Sequence, residues 1–117
     1  MNSSNPTPLQ APAGIVPSRI EKHSDSEMYL EFNSGERFAV PFAELRFACP
    51  CASCVDEHTG KRIIRREDVP AGIRPTGVSL VGRYAVQISW SDLHTTGMYS
   101  FDHLWKIAKY TGTPLHR

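Results

Sequence analysis

The sequence lacks the features that would place this protein in a membrane or an extracellular disulfide class. No stretch approaches the roughly 18 consecutive apolar residues that a membrane span requires. The start, Met1–Pro8, has neither the basic nor the apolar region of a secretory signal. The 3 cysteines all fall between positions 49 and 54, which makes a poor disulfide framework. We therefore expect a cytoplasmic protein, in a reducing compartment and away from the membrane.

A strong charge bias is also missing. The formal net charge is +1, which does not direct a protein towards nucleic acid. The chain has 117 residues, of which 40% are hydrophobic and 21% charged, as in an ordinary globular domain. One small domain is expected, with a core modest enough for a cross-link to matter. We do not expect a nucleic-acid partner.

Periodicity divides the chain into a tail, a domain and a short end. Residues 1–16 are rich in Pro, Ser, Asn and Ala and are predicted to form a flexible N-terminal tail. The domain is placed at residues 17–112, with a C-terminal tail at 113–117. Apolar residues alternate with polar ones around 28–32 and 38–40, with the turn residues Asn33–Gly35 between them, which predicts a hairpin.

The rest of the domain combines short strands with two helices. Pro41 can open a short helix over residues 42–46. Strands are predicted around 78–80 and 84–90, and a further short one at 98–99. A final helix begins at Phe101, has Ser100 as its cap, and ends at Gly112. Its buried stripe follows i, i+3, i+4, i+7 spacing: Phe101, Leu104, Trp105 and Ala108.

Residues 47–75 show no periodicity and contain five Pro or Gly breakers. A loop of this length is unusual in a compact domain unless something other than secondary structure holds it. Cys49, Cys51 and Cys54 lie at its start. Thiolates spaced in this way on one turn can converge on a single zinc ion at about 2.3 Å.

Zinc takes four ligands, so three thiolates require one more, and a histidine is the usual fourth. His58 is favoured by local spacing, whereas the distant His94 would tie the irregular loop to the sheet. The fold predicted is thus a small α+β domain with an antiparallel sheet, a short helix, a C-terminal helix and a zinc-tethered irregular loop.

Two runs of residues resemble a known family, the gamma-butyrobetaine hydroxylase-like N-terminal domain family. The first run is Leu45-Arg46-Phe47-Ala48-Cys49-Pro50-Cys51-Ala52-Ser53-Cys54. The second comprises Trp90-Ser91-Asp92-Leu93-His94 and Gly97-Met98-Tyr99-Ser100-Phe101. The resemblance covers roughly residues 17–112. In the family's enzymes this domain holds zinc through three cysteines and a histidine, which implies Cys49, Cys51, Cys54 and His94 here, and not His58.

One position departs from the family pattern. Small bacterial-type members commonly have glycine where this chain has Leu93. If that position requires a positive φ, leucine there costs about 1 kcal/mol or more.

The resemblance implies a non-catalytic accessory or protein-interaction module. A Cys3His zinc has no open coordination position, so no enzyme activity is expected. The domain also resembles a module attached to some Mrp-type P-loop iron–sulfur carriers. Iron–sulfur cluster assembly or transfer is therefore the alternative function, and the alternative cofactor is an iron–sulfur cluster. A thiol enzyme using Cys54 with His58 is a third hypothesis. The basic run Arg62, Arg65 and Arg66 is interpreted as a solvated face.

Overall fold

The computed structural model describes residues 10–49, 59, 61–94 and 97–115. In chain order its strands and helices are β1 (Pro17–Lys22), β2 (Glu27–Phe32), β3 (Arg37–Pro41), α1 (Phe42–Phe47), a 3-10 helix (Arg66–Asp68), β4 (Pro75–Val81), β5 (Ala85–Trp90), β6 (Gly97–Ser100), α2 (Phe101–Thr111) and β7 (Thr113–Pro114). Within these residues, no helix is both long and apolar enough to cross a bilayer.

The predicted hairpin is present as β2 and β3. Met28, Leu30 and Phe32 are buried while their neighbours on β2 are not, as the alternating pattern predicted. Gly35 in the turn has φ +91°, a conformation that glycine adopts without a steric penalty. The hairpin therefore follows directly from the local sequence.

The strands form two antiparallel sheets, where the sequence analysis expected one. The first has the order β1-β2-β3-β7 and the second the order β4-β5-β6. Strands adjacent in sequence pair within each sheet through short connections, whereas β3 and β7 pair although they are remote in sequence. Thr113, placed in the predicted C-terminal tail, pairs with Ala39 of β3.

Helix α2 closes the core with the face that its spacing predicted. The buried residues are the four expected ones and Ile107. Ser100 accepts a hydrogen bond from the His103 backbone N–H at 3.1 Å, so the predicted cap is confirmed. Gly112 ends the helix where a Cβ would lie 2.6 Å from the Ala108 carbonyl oxygen, so only glycine fits there without a shift.

Candidate metal centre

Cys49 lies just beyond the C-terminal end of α1. Its backbone N–H donates to the Arg46 carbonyl at 3.2 Å, which continues the last turn of the helix. Its side chain belongs to the core, and the residue is 0% exposed. The thiol is therefore held in a fixed place and shielded from solvent.

His94 reaches that thiol from the other end of the sequence. It follows β5, and a tight turn returns the chain so that its carbonyl oxygen accepts from the Trp90 backbone N–H at 2.7 Å. His94 Nε2 lies 3.1 Å from Cys49 Sγ, although the two residues are 45 positions apart. The tertiary structure thus joins two of the four predicted ligands.

The geometry of this pair suits a zinc ion. A tetrahedral zinc with bonds of about 2.3 Å to sulfur and about 2.0 Å to nitrogen separates the two ligand atoms by about 3.5 Å. The observed separation of 3.1 Å would need to widen by only a few tenths of an ångström. A thiolate and an imidazole are both ligands that zinc prefers.

The remaining candidate ligands all fall in one stretch of the chain. Cys51, Cys54 and His58 lie outside the described residues. Within the described ranges, no group of three or more Cys, His, Asp or Glu side chains is arranged to hold a metal. The four-ligand site therefore stays a prediction.

Leu93 has the positive φ that the departure from the family pattern suggested. Its φ is +68°, and it is the one non-glycine residue with a positive φ among the described residues. The side chain is 89% exposed, so little packing offsets this conformation. The turn that presents His94 is consequently strained.

A largely buried ion pair connects the two ligand-bearing segments. Arg46 Nε, on α1, lies 3.0 Å from Asp92 Oδ2, and the arginine is only 7% exposed. The other carboxylate oxygen of Asp92 accepts from the His94 backbone N–H at 3.3 Å. One carboxylate therefore links the helix that leads into Cys49 with the turn that carries His94. Such outer partners commonly orient metal ligands.

Side-chain donors also satisfy the carbonyl groups at the end of α1, which lack partners within the helix. Tyr99 Oη donates to the Leu45 carbonyl at 2.7 Å. An Arg62 guanidinium nitrogen donates to the Phe47 and Cys49 carbonyls at 2.6 and 3.0 Å.

His103 Nε2 lies 2.8 Å from the Ala48 carbonyl oxygen, and because a carbonyl only accepts, this nitrogen carries the proton. Its ring also stacks on Tyr99, with 5.9 Å between the centroids. His103, on α2, therefore supports the backbone just before Cys49.

The local environment keeps Tyr99 protonated. Burial raises the pKa of its hydroxyl, and the nearby Cys49 sulfur raises the pKa further. Tyr99 is therefore a hydrogen-bond donor at any physiological pH. Gly97 lies beside it, where a Cβ would be 3.1 Å from the Tyr99 ring and 3.5 Å from Cys49 Sγ.

Several of these supporting residues belong to the motifs that indicated the family, but the motifs alone assign them no role. Arg46, Asp92 and Tyr99 all lie within the motifs that indicated the family. A charged residue within a short motif that also carries a ligand is a usable signal for an orienting partner. Arg62 gave no such signal, because a basic residue in an irregular segment is usually solvated.

Comparisons with known proteins identify related sequences and structures. The family model "Gamma-butyrobetaine hydroxylase-like, N-terminal" matches residues 20–105. Among curated proteins, the chain is 39% identical over 66 residues to Dioxygenase str8 of Strobilurus tenacellus, covering 55% of this chain and 15% of that protein. It is 33% identical over 82 residues to Fe-S cluster assembly factor HCF101, chloroplastic, of Arabidopsis thaliana, covering 70% of this chain and 15% of that protein. The chain thus spans a small part of these curated relatives.

Solved structures share the fold. A crystal structure of a protein of unknown function from the DUF971 family of Acidithiobacillus ferrooxidans has a TM-score of 0.60 and 26% identity, covering 79% of this chain and 91% of that one. A protein solved in solution by NMR has a TM-score of 0.62 and 25% identity, covering 93% of this chain and 75% of that one.

Proposed function

This chain belongs to the gamma-butyrobetaine hydroxylase-like N-terminal domain family, and from that membership we propose that it is a non-catalytic module stabilised by one structural zinc ion. The ligands proposed are Cys49, Cys51, Cys54 and His94. The observation that carries the proposal is the 3.1 Å approach of Cys49 Sγ to His94 Nε2. The role proposed is that of an accessory or protein-interaction domain in the cytoplasm, where thiolates stay reduced.

A structural role fits the surroundings of the pair better than a catalytic one. Four protein ligands leave zinc no position for water or substrate. Cys49 is fully buried, so a substrate could not reach its sulfur either as a nucleophile or as a metal ligand. We therefore extend neither the oxygenase activity named for the dioxygenase relatives nor a thiol-enzyme role of Cys49 to this chain. The third hypothesis, a thiol enzyme using Cys54 with His58, falls on residues outside the described ones.

When bound, the ion would supply a cross-link between the end of α1 and the turn after β5. Zinc binding in small finger-like domains is worth about 10–16 kcal/mol, and a small domain has a total stability of about 5–15 kcal/mol. The proposal therefore requires that loss of the metal unfold the segment around Cys49 and lower the stability of the whole domain.

The test is metal analysis of the full chain purified without added metal. One zinc per chain is expected in the wild-type protein. His94→Ala should lose it, whereas His58→Ala, an equal truncation of the locally spaced alternative, should retain it. Zinc retained by His94→Ala and lost by His58→Ala would show that the fourth ligand is wrongly assigned. Wild-type protein that binds no metal would reject the proposal.

Iron–sulfur cluster assembly or transfer is the second candidate function. It is favoured by the similarity to the HCF101 proteins, whose name states that they are Fe-S cluster assembly factors. Three thiolates can hold part of such a cluster. Anaerobic purification separates the two candidates, because a cluster gives brown protein containing iron and acid-labile sulfide, whereas zinc gives colourless protein.

A further inference from the structure

We propose that a basic cleft beside the predicted metal ligands binds an acidic segment of a partner protein. The basic cleft is formed by Phe47, Arg62, Arg66, Lys106, Ile107 and Tyr110, and it has a volume of about 320 Å³. The inference rests on the interaction role proposed above, to which it adds a surface and the chemistry of the partner.

The floor of the cleft is an aromatic ring covered by guanidinium groups. The Arg66 guanidinium carbon lies 4.4 Å from the centroid of the Phe47 ring, and that of Arg62 lies 5.3 Å from it. Arg62 also donates to the backbone carbonyls of the α1 end. These contacts hold the two cations at defined positions, which reduces the entropy lost when a carboxylate binds them.

Among the described residues that line the cleft, positive charges outnumber negative ones. These residues include Arg62, Arg66 and Lys106 but one carboxylate, that of Glu44, which pairs with Arg66 at 2.5 Å. The whole chain carries a formal charge of only +1, so this cleft is a local concentration of positive charge. Complementarity therefore favours a partner with carboxylates.

Helix α2 supplies the opposite wall. Lys106 and Tyr110 are four positions apart and so lie on one face of the helix, beside the stripe that packs into the core. Tyr110 is 71% exposed, which leaves a large amphipathic ring next to the cations. Tyrosine and arginine are, with tryptophan, the residue types enriched among the residues that dominate binding energy at protein interfaces.

The same features favour a peptide over a nucleic acid. Single-stranded nucleic acids bind grooves in which successive bases stack on several aromatic rings. In the cleft, guanidinium groups already cover Phe47, so Tyr110 is the one exposed aromatic ring among the described lining residues. A cleft of this volume instead accommodates one or two apolar side chains with acidic residues on either side.

The test is an NMR titration of the isotope-labelled full chain with a short synthetic peptide in which glutamates flank a central phenylalanine and leucine. We expect the backbone signals of Phe47, Arg66 and Tyr110 to shift, and the affinity to fall as the salt concentration rises. A second peptide with glutamine in place of glutamate should bind much more weakly. Equal binding of the two peptides, no binding, or shifts confined to other surfaces would overturn the proposal.

Matched variants locate the site. Lys106→Glu should weaken binding about fivefold or more, and Tyr110→Ala about tenfold. The controls are Lys22→Glu, an exposed lysine on β1, and Tyr84→Ala, an exposed tyrosine between β4 and β5; both should bind as the wild type does. An effect of the control variants as large as that of the cleft variants would reject the location. A single-stranded oligonucleotide that displaces the peptide would reject the choice of partner.

Zinc content measured on the same samples separates this proposal from the one on which it rests. Wild-type protein that holds zinc but binds no acidic peptide rejects the cleft alone. Wild-type protein that binds the peptide through the cleft but holds no zinc rejects the metal proposal alone.

Discussion

Replacing Leu93 by glycine should stabilise the protein. A non-glycine residue in the left-handed region costs about 1–2 kcal/mol, and Leu93 has φ +68°. Glycine removes that strain but makes the unfolded chain more flexible, at a cost of about 0.4–1 kcal/mol. Because the leucine side chain is 89% exposed, its loss removes little packing. The expected net gain is about 0.5–1 kcal/mol.

The assay is urea unfolding of the metal-loaded full chain, followed by tryptophan fluorescence. The midpoint should rise with an unchanged slope, because the exposed surface is the same. A thermal midpoint should rise by a few degrees, since about 1 kcal/mol corresponds to about 4–8 °C in a domain of roughly this size.

Two variants separate strain from the loss of a side chain. Leu93→Ala keeps a Cβ and hence the strain, so its stability should stay close to that of the wild type. Leu80, on β4, is 69% exposed and its φ is not positive. Leu80→Gly therefore relieves no strain and should destabilise the protein, because glycine in a strand loses more conformational entropy on folding. The strain argument is wrong if Leu93→Gly is no more stable than Leu93→Ala.

Three other changes test the support of the site and the fold. Asp92→Asn should cost about 1.5–3 kcal/mol in unfolding experiments because it removes the negative charge that pairs with the largely buried Arg46, and Arg46→Met combined with Asp92→Leu should recover part of that loss. Gly97→Ala should destabilise by about 1–3 kcal/mol, because the added Cβ would lie 3.0 Å from a β5 carbonyl oxygen; a thermal midpoint equal to that of the wild type would contradict this. The hydrogen bond from the Trp105 indole lowers the pKa of Glu36 in the folded protein below its ordinary 4.5. The ionised carboxylate therefore stabilises the fold above pH 4.5, and this contribution is lost as the pH falls through the pKa of the folded state. Glu36→Gln should therefore flatten the acid side of the stability profile, and an unchanged profile would refute the assignment.

Local patterns predicted most of the regular structure. The hairpin of β2 and β3, the strand β5 and the helix α2 each follow from a periodicity and an end signal contained in a few neighbouring residues. The strand β1 was not predicted, because its residues 17–22 are mostly exposed and lack a clear alternation. The division into two sheets was also missed, because it depends on which edges pair and not on whether a strand forms.

The candidate site shows the same contrast. Clustering of the cysteines indicated metal chemistry, but spacing alone favoured His58, and the resemblance to the family was needed to select His94. No local sequence pattern could predict the contact between Cys49 and His94, which are 45 positions apart. Their approach depends on contacts between remote segments, among them the Arg46–Asp92 ion pair and the hydrogen bond from the Tyr99 hydroxyl on β6 to the Leu45 carbonyl on α1.

The amino-acid sequence by itself determined the fold class, the ends of α2 and the residues that α2 buries, because these depend on interactions within one or two turns of the chain. The tertiary structure alone decided that a buried thiol faces His94 and that three cations line one cleft. Both depend on distances between segments remote in sequence, and only the packed core fixes those distances.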